Sequence, residues 1–173
     1  DAARTLGIPS AAAGELLEEA RAALLAARER REPVEVDDKI LADWNGLAIS
    51  AFARAGRALG IPEYVDVARR AADFVLSAMV TGEDVLLHAY KDRPGSVPGF
   101  LDDYASMAGG LLELYQSSQE PRYLTSALHL VDQMLGLFLD ESGGGFFQTG
   151  TGGELYCVRD KATSRNHGLS PSQ

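Results

Sequence analysis

Hydrophobic and polar positions recur at helical spacing over most of the chain. Over residues 10 to about 31, Leu16, Leu17, Ala20, Ala23, Leu24 and Ala27 form one apolar stripe and charges fill the other sides, the pattern of an amphipathic outer helix with Ser10 as its cap. Its acids come first (Glu15, Glu18, Glu19) and its arginines last (Arg28, Arg30, Arg31), an order that offsets the helix dipole. After the turn at Pro33, Asp37 or Asp38 can cap a second helix to about Leu59, with Gly60 to end it and Pro62 to begin the next. Only Asp43, Arg54 and Arg57 are charged between positions 41 and 59, which predicts burial on most faces. A third helix, residues 63 to about 80, sets Asp66, Arg69, Arg70 and Asp73 opposite Tyr64, Val67, Ala68, Ala71, Phe74 and Val75, so it should lie outside the second.

A short strand is predicted over residues 85 to 90, ended by a loop containing Pro94, Gly95, Pro98 and Gly99. The fourth helix, about 101 to 118, carries charge only at Asp102, Asp103 and Glu113, and its Gly109 and Gly110 permit close backbone approach. It reads as a second inner helix. The fifth, from Pro121 to about Leu139, aligns Tyr123, Leu124, Ala127, Leu128, Val131, Leu135 and Phe138 on one side and reads as a second outer one.

The chain also repeats itself. Leu41, Asp43, Trp44 and Leu47 fall on Leu101, Asp103, Tyr104 and Met107 at a shift of 60, and Tyr64, Ala68 and Asp73 fall on Tyr123, Ala127 and Asp132 at a shift of 59. Each unit is an inner helix, a return helix and a small β excursion, longer than the roughly 34-residue pair of tetratricopeptide arrays. Helical pairs of this length build α/α toroids. The expected fold is therefore all-α, a partial toroid over residues 1–160 with a weakly ordered tail at 161–173, too short to close its own ring.

Composition narrows the partners. A chain of 173 residues, 46% hydrophobic and 24% charged, suits one globular domain, and a net charge of −9 repels phosphate backbones and anionic membranes. Neither nucleic acid nor a membrane is expected as a partner, no run approaches the roughly 18 apolar residues of a membrane span, and a cytoplasmic location is expected. The single Cys157 has no partner for an internal disulfide and reads as a strand residue.

The segments ARAALLAARERREP (20–33), DDKILADWNGL (37–47), PGFLDDYA (98–105) and DESGGGFFQT (140–149) resemble the C-terminal toroid of the thioredoxin-domain-containing spermatogenesis-associated protein 20 family. That resemblance implies a fold related to six-hairpin glycosidases and acylglucosamine 2-epimerases, with an N-terminal thioredoxin-like domain and further hairpins belonging to the same protein. It fits less well at the end. The family's Arg-x-Lys segment is matched by Arg159 and Lys161, but the following Asp-Gly-Ala-x-Pro-Ser-Gly-Asn run is replaced by residues 165–173, which lack the aspartate.

In toroids of this type the ends of inner helices open onto an axial pocket. Asp102, Asp103 and Tyr104 begin one such helix after Phe100, and Asp43, Trp44 and Asn45 begin the other. Paired carboxylates suit acid–base work on sugars, and aromatic rings can stack on a pyranose; acids at a helix N-terminus also simply cap free N–H groups. By the repeat at a shift of 60, Asp103 matches Asp43 and reads as the capping member, leaving Asp102 as the catalytic candidate together with His88, a candidate base. Trp44, Asn45, Tyr104, Phe100 and Asp103 are the candidate substrate-binding residues. No metal and no cofactor are expected, since His88, His129 and His167 are scattered. Two functions compete: a carbohydrate-active enzyme, glycoside hydrolase or sugar epimerase-like, when the protein is complete, or a non-catalytic scaffold for the attached thioredoxin-like domain. On either reading this length of chain alone is expected to be inactive, to bind a carbohydrate only when completed, and to self-associate through an exposed apolar flank.

Overall fold

The computed structural model describes residues 4–5, 7, 9–32, 36–151 and 161. Expectations for Cys157, Arg159 and the tail beyond Lys161 fall outside the described residues. The chain divides into two compact units, Asp1–Asp37 and Asp38–Gln173.

The first unit holds helix α1 (Ser10–Glu29), which buries none of its residues. Ser10 is its first helical residue rather than its cap: Pro9 takes the cap position and its carbonyl accepts the Ala13 N–H at 3.0 Å.

The second unit begins with strand β1 (Ile40–Leu41) and continues with α2 (Ala42–Leu59), α3 (Pro62–Ala78), β2 (Ala89–Lys91), β3 (Arg93–Pro94), α4 (Leu101–Ser118) and α5 (Pro121–Phe138). The three strands form an antiparallel sheet in that order, with Ile40 opposite Tyr90 and Tyr90 opposite Pro94. This pairing explains why neither Asp37 nor Asp38 stands at the cap position of α2. Ile40 and Leu41 are extended against β2, so α2 starts only at Ala42, with Leu41 at the cap position. Gly60 ends α2 in a left-handed conformation (φ 69°) and Pro62 opens α3, as the sequence predicts.

The inner helices α2 and α4 touch backbone to backbone. A Cβ on Gly46 would collide with the Ser106 carbonyl group, and one on Gly110 would stand 2.5 Å from the Gly46 oxygen. Around this seam Ile49, Ala53, Met107, Leu111 and Leu114 are buried, with Ala68, Ala72 and Val75 of α3 and Tyr123 and Leu130 of α5 closing the core. The expectation that α2 is buried on most faces fails. Its seam face is buried, whereas Trp44, Leu47, Ala48 and Ala51 are exposed, because no other element of the second unit packs against that side.

Hydrogen bonds reproduce the repeat and correct its register. The bridge Val80–Leu86 recurs as Leu139–Phe146, and the bond from Leu87 N–H to the Met79 carbonyl recurs from Phe147 to Phe138, each at 2.8 Å. The first N–H of each inner helix is received by the following excursion, Ala42 by the His88 carbonyl at 3.0 Å and Leu101 by the Gln148 carbonyl at 3.1 Å. Ala42 thus corresponds to Leu101, a shift of 59 rather than 60. The extra residue lies in the second excursion's turn, where positions 140–145 replace 81–85. Asp43 is therefore the equivalent of Asp102, and Trp44 that of Asp103.

Candidate functional site

Three short segments converge where α2 and α4 begin. His88 is anchored on both sides of its backbone: its carbonyl receives Ala42 N–H and its own N–H reaches the Val97 carbonyl at 3.0 Å. Its side chain then points at α4, where Nδ1 lies 2.9 Å from Asp103 Oδ2. The imidazole also meets the Phe100 ring edge-on, centroids 5.1 Å apart.

Asp103 is 1% exposed and accepts from three donors. Its Oδ2 receives Phe100 N–H at 2.8 Å and its Oδ1 receives Asp43 N–H at 3.0 Å, while the third donor is His88. Helix capping and inter-helix bonding meet in one carboxylate, since Phe100 is the cap residue of α4 and Asp43 stands in the first turn of α2. Burial pushes the Asp103 carboxyl above the ordinary range, opposed by the Phe100 N–H, then His88, then the Asp43 N–H.

Tyr104 goes into the core. Its hydroxyl accepts Leu86 N–H at 3.2 Å, its ring tilts against Phe138 at 5.4 Å, and burial, together with the charge of Asp103, pushes its phenol up. Gly99 lets this corner close, because a Cβ there would meet the Leu86 carbonyl oxygen at 3.1 Å and the Tyr104 ring at 3.2 Å. Asp102, half-buried, accepts from Gln148 Nε2 at 2.9 Å. Asn45 folds its amide back onto the Leu41 carbonyl at 2.8 Å, and Trp44 is 68% exposed.

Of the residues singled out in the sequence, His88, Phe100 and Asp103 are thus in mutual contact, Asp102 is tied to Gln148 instead, and Tyr104 and Asn45 are committed to structural bonds. Gln148 was not foreseen. The corrected repeat would have found it, because it occupies in the second excursion the place of His88 in the first. The argument that set Asp102 apart is also reversed: carboxylates recur at Asp43 and Asp102, and Asp103 is the one without a counterpart. Among the described residues no group of three His, Cys, Asp or Glu side chains could hold a metal ion, and no helix is long and apolar enough to cross a membrane.

No protein-family profile matches the chain. Two hairpins with inner helices in contact are, however, the building block of known toroids. The chain superposes on cellobiose 2-epimerase from Bacillus thermoamylovorans with TM-score 0.61 and 19% identity, over 67% of this chain and 31% of that one. A D-mannose isomerase gives TM-score 0.50 and 17% identity over 57% and 27%. Fold and helix arrangement define the chain as part of an α/α toroid of the kind found in these sugar epimerases and isomerases. Its sequence relatives are more specific. Spermatogenesis-associated protein 20 of Rattus norvegicus is 41% identical over 133 residues, 72% of this chain and 17% of that protein, and the Homo sapiens protein is 36% identical over 154 residues, 84% and 20%. The chain is a homologue of spermatogenesis-associated protein 20, and it spans about a fifth or less of the length of these relatives.

Proposed function

We propose that, in the complete protein, this end of the toroid binds a carbohydrate and that His88, positioned by Asp103, moves a proton at a carbon next to the sugar carbonyl, as an epimerase or isomerase does. One observation carries the reading, the buried Asp103 carboxylate held against Nδ1 of a His88 side chain that is itself 30% exposed. A carboxylate on Nδ1 fixes the ring's orientation and leaves Nε2 as the nitrogen able to take a proton, the arrangement of a positioned general base. The alternative pair for hydrolysis, Asp102 with Asp103, is less suited: Asp103 is occupied by three donors and Asp102 by Gln148. That toroids of similar fold include cellobiose 2-epimerase and D-mannose isomerase supports the substrate class.

The test is deuterium wash-in by NMR, with the full-length protein, a panel of reducing mono- and disaccharides and D2O. Exchange at the carbon beside the carbonyl is expected, reduced about 10²–10⁴-fold in His88→Gln, the range of a lost general base. Asp103→Asn should keep sugar affinity and shift the pH profile of exchange. If the folded wild-type protein exchanges no proton on any sugar of the panel, the scaffold reading replaces this one.

A further inference from the structure

The start of α4 carries a second polar pair that the proton transfer at His88 leaves unused. Phe100, Leu101, Asp102 and Asp103 are consecutive, and both excursions close over them. The first sets His88 against Asp103 and the Phe100 ring. The second lays the Gln148 carbonyl on Leu101 N–H at 3.1 Å and the Gln148 Nε2 on Asp102 Oδ2 at 2.9 Å. Consecutive Cα atoms stand about 3.8 Å apart and adjacent helix positions point roughly 100° apart, so the two pairs lie side by side within the reach of one sugar. A carboxylate only accepts, which fixes the amide end that Gln148 turns to Asp102 and leaves its Oε1 facing away. Asp102 Oδ1 and Gln148 Oε1 accept from no described residue and neither is a buried orphan, so both reach solvent.

A further hairpin packed against α4 would not close this opening. In the first hairpin the equivalents of Asp102 and Gln148 are Asp43 and His88, and there the second hairpin is already in place, with Asp103 bonded to Asp43 N–H. Asp43 is nevertheless only half-buried and the His88 side chain 30% exposed.

We propose that Asp102 and Gln148 are the hydroxyl-binding part of the His88 site and take two neighbouring hydroxyls, those on the third and fourth carbons of an aldohexose. The inference rests on the carbohydrate reading of His88 and adds which part of the sugar is held, and by what. One hydroxyl donates to Asp102 Oδ1 and its neighbour to Gln148 Oε1, while the bond between the two side chains keeps the acceptors at a fixed spacing. The bond to the carboxylate is charge-assisted and the stronger of the two. The pair thus selects a vicinal diol next in line after the reacting carbon, and His88 selects that carbon.

The experiment measures binding and exchange of D-glucose and D-mannose, which differ only at the carbon beside the carbonyl, and of their 3-deoxy and 4-deoxy analogues, with the full-length protein. In the wild type each deoxy sugar should bind about 10-fold more weakly or worse, the effect of one lost hydrogen bond. Asp102→Asn and Gln148→Ala should each raise the KM of exchange by about 10-fold and leave kcat within about twofold, the mark of lost uniform binding. Each variant should also lose the penalty for one of the two missing hydroxyls, because the acceptor has gone with its donor. A pair that only supports the fold would lower the melting temperature and leave that discrimination untouched, which overturns the inference. If His88→Gln abolishes exchange while both pair variants bind and discriminate like the wild type, this inference fails and the reading of His88 stands. The same holds if neither aldohexose binds while another reducing sugar exchanges. If no sugar exchanges at all, both fail together.

Discussion

Asp103 and Asp102 are neighbours with different work. Asp103→Ala removes an acceptor from three donors, two of them backbone N–H groups at helix starts, so its cost should be about 3 kcal/mol, above the roughly 0.5–2 kcal/mol of a lost cap alone. Asp102→Asn retains an oxygen able to accept from Gln148 and should change stability by less than about 0.5 kcal/mol. Urea midpoints of the two variants decide this, and equal losses would contradict the division. The residue scale also holds a pH signature. Tyr123 is fully buried, donates its hydroxyl to Asp73 Oδ1 at 3.1 Å, and has its phenol pushed up to about 12, first by burial and then by that carboxylate. A pKa raised in the folded state gives stability that is complete below the ordinary value of about 10 and is lost as pH rises from there towards 12. Denaturation measured across that window should show a steeper decline in the wild type than in Tyr123→Phe. Parallel curves would contradict the assignment.

At the scale of the elements, glycines report how close the helices run. Gly46 and Gly110 face backbone, which cannot step aside, so alanine at either should cost about 1–3 kcal/mol or more by overpacking. Gly109 and Gly136 face open space inside helices, and alanine there should add about 0.5–1 kcal/mol. Thermal melts of the four variants should therefore split two and two. The sequence marks Gly109 and Gly110 as a place of close approach without saying which of them makes it, because adjacent helix positions point roughly 100° apart and only the partner's position chooses between them. The five main helices are legible because their apolar period and their Pro and Gly boundaries are strong. Their first residues are less so: Asp37, Asp38 and Ser10 look like caps, but pairing of Ile40 and Leu41 with β2 moves the start of α2 to Ala42 and no side chain caps α1. A cap is a local preference of about 1 kcal/mol, and a tertiary strand pairing easily outweighs it.

For the whole molecule, the repeat makes the toroid readable from the chain alone, and the epimerase-like fold agrees with it. The same repeat also misleads. Matching Leu41 to Leu101 by residue type gives a shift one too large, which exchanges the roles of Asp102 and Asp103 in the comparison with Asp43. The slip comes from that match of residue types; the outer helices repeat at 59, as Tyr64 and Tyr123 show, and the hydrogen bonds of Ala42 and Leu101 put the inner helices on the same stride. The contact of His88 with Asp103 is not legible in the sequence, because a contact between a β excursion and the next hairpin's helix has no local signature.

The extra residue in the second excursion's turn has a meaning for how such rings change over time. The helices before it keep their 59-residue stride, and the bridge Val80–Leu86 survives as Leu139–Phe146 around a turn longer by one residue. A turn that absorbs an insertion without disturbing the helices or the bridge beneath it acts as a slack joint between rigid links. Drift in length can collect there while the contact of Gly46 with Gly110 and the alignment of the helix starts stay constant. The excursions are then where the two hairpins can differ in length, and they also differ in side chain, one carrying His88 where the next carries Gln148 above the same backbone bond.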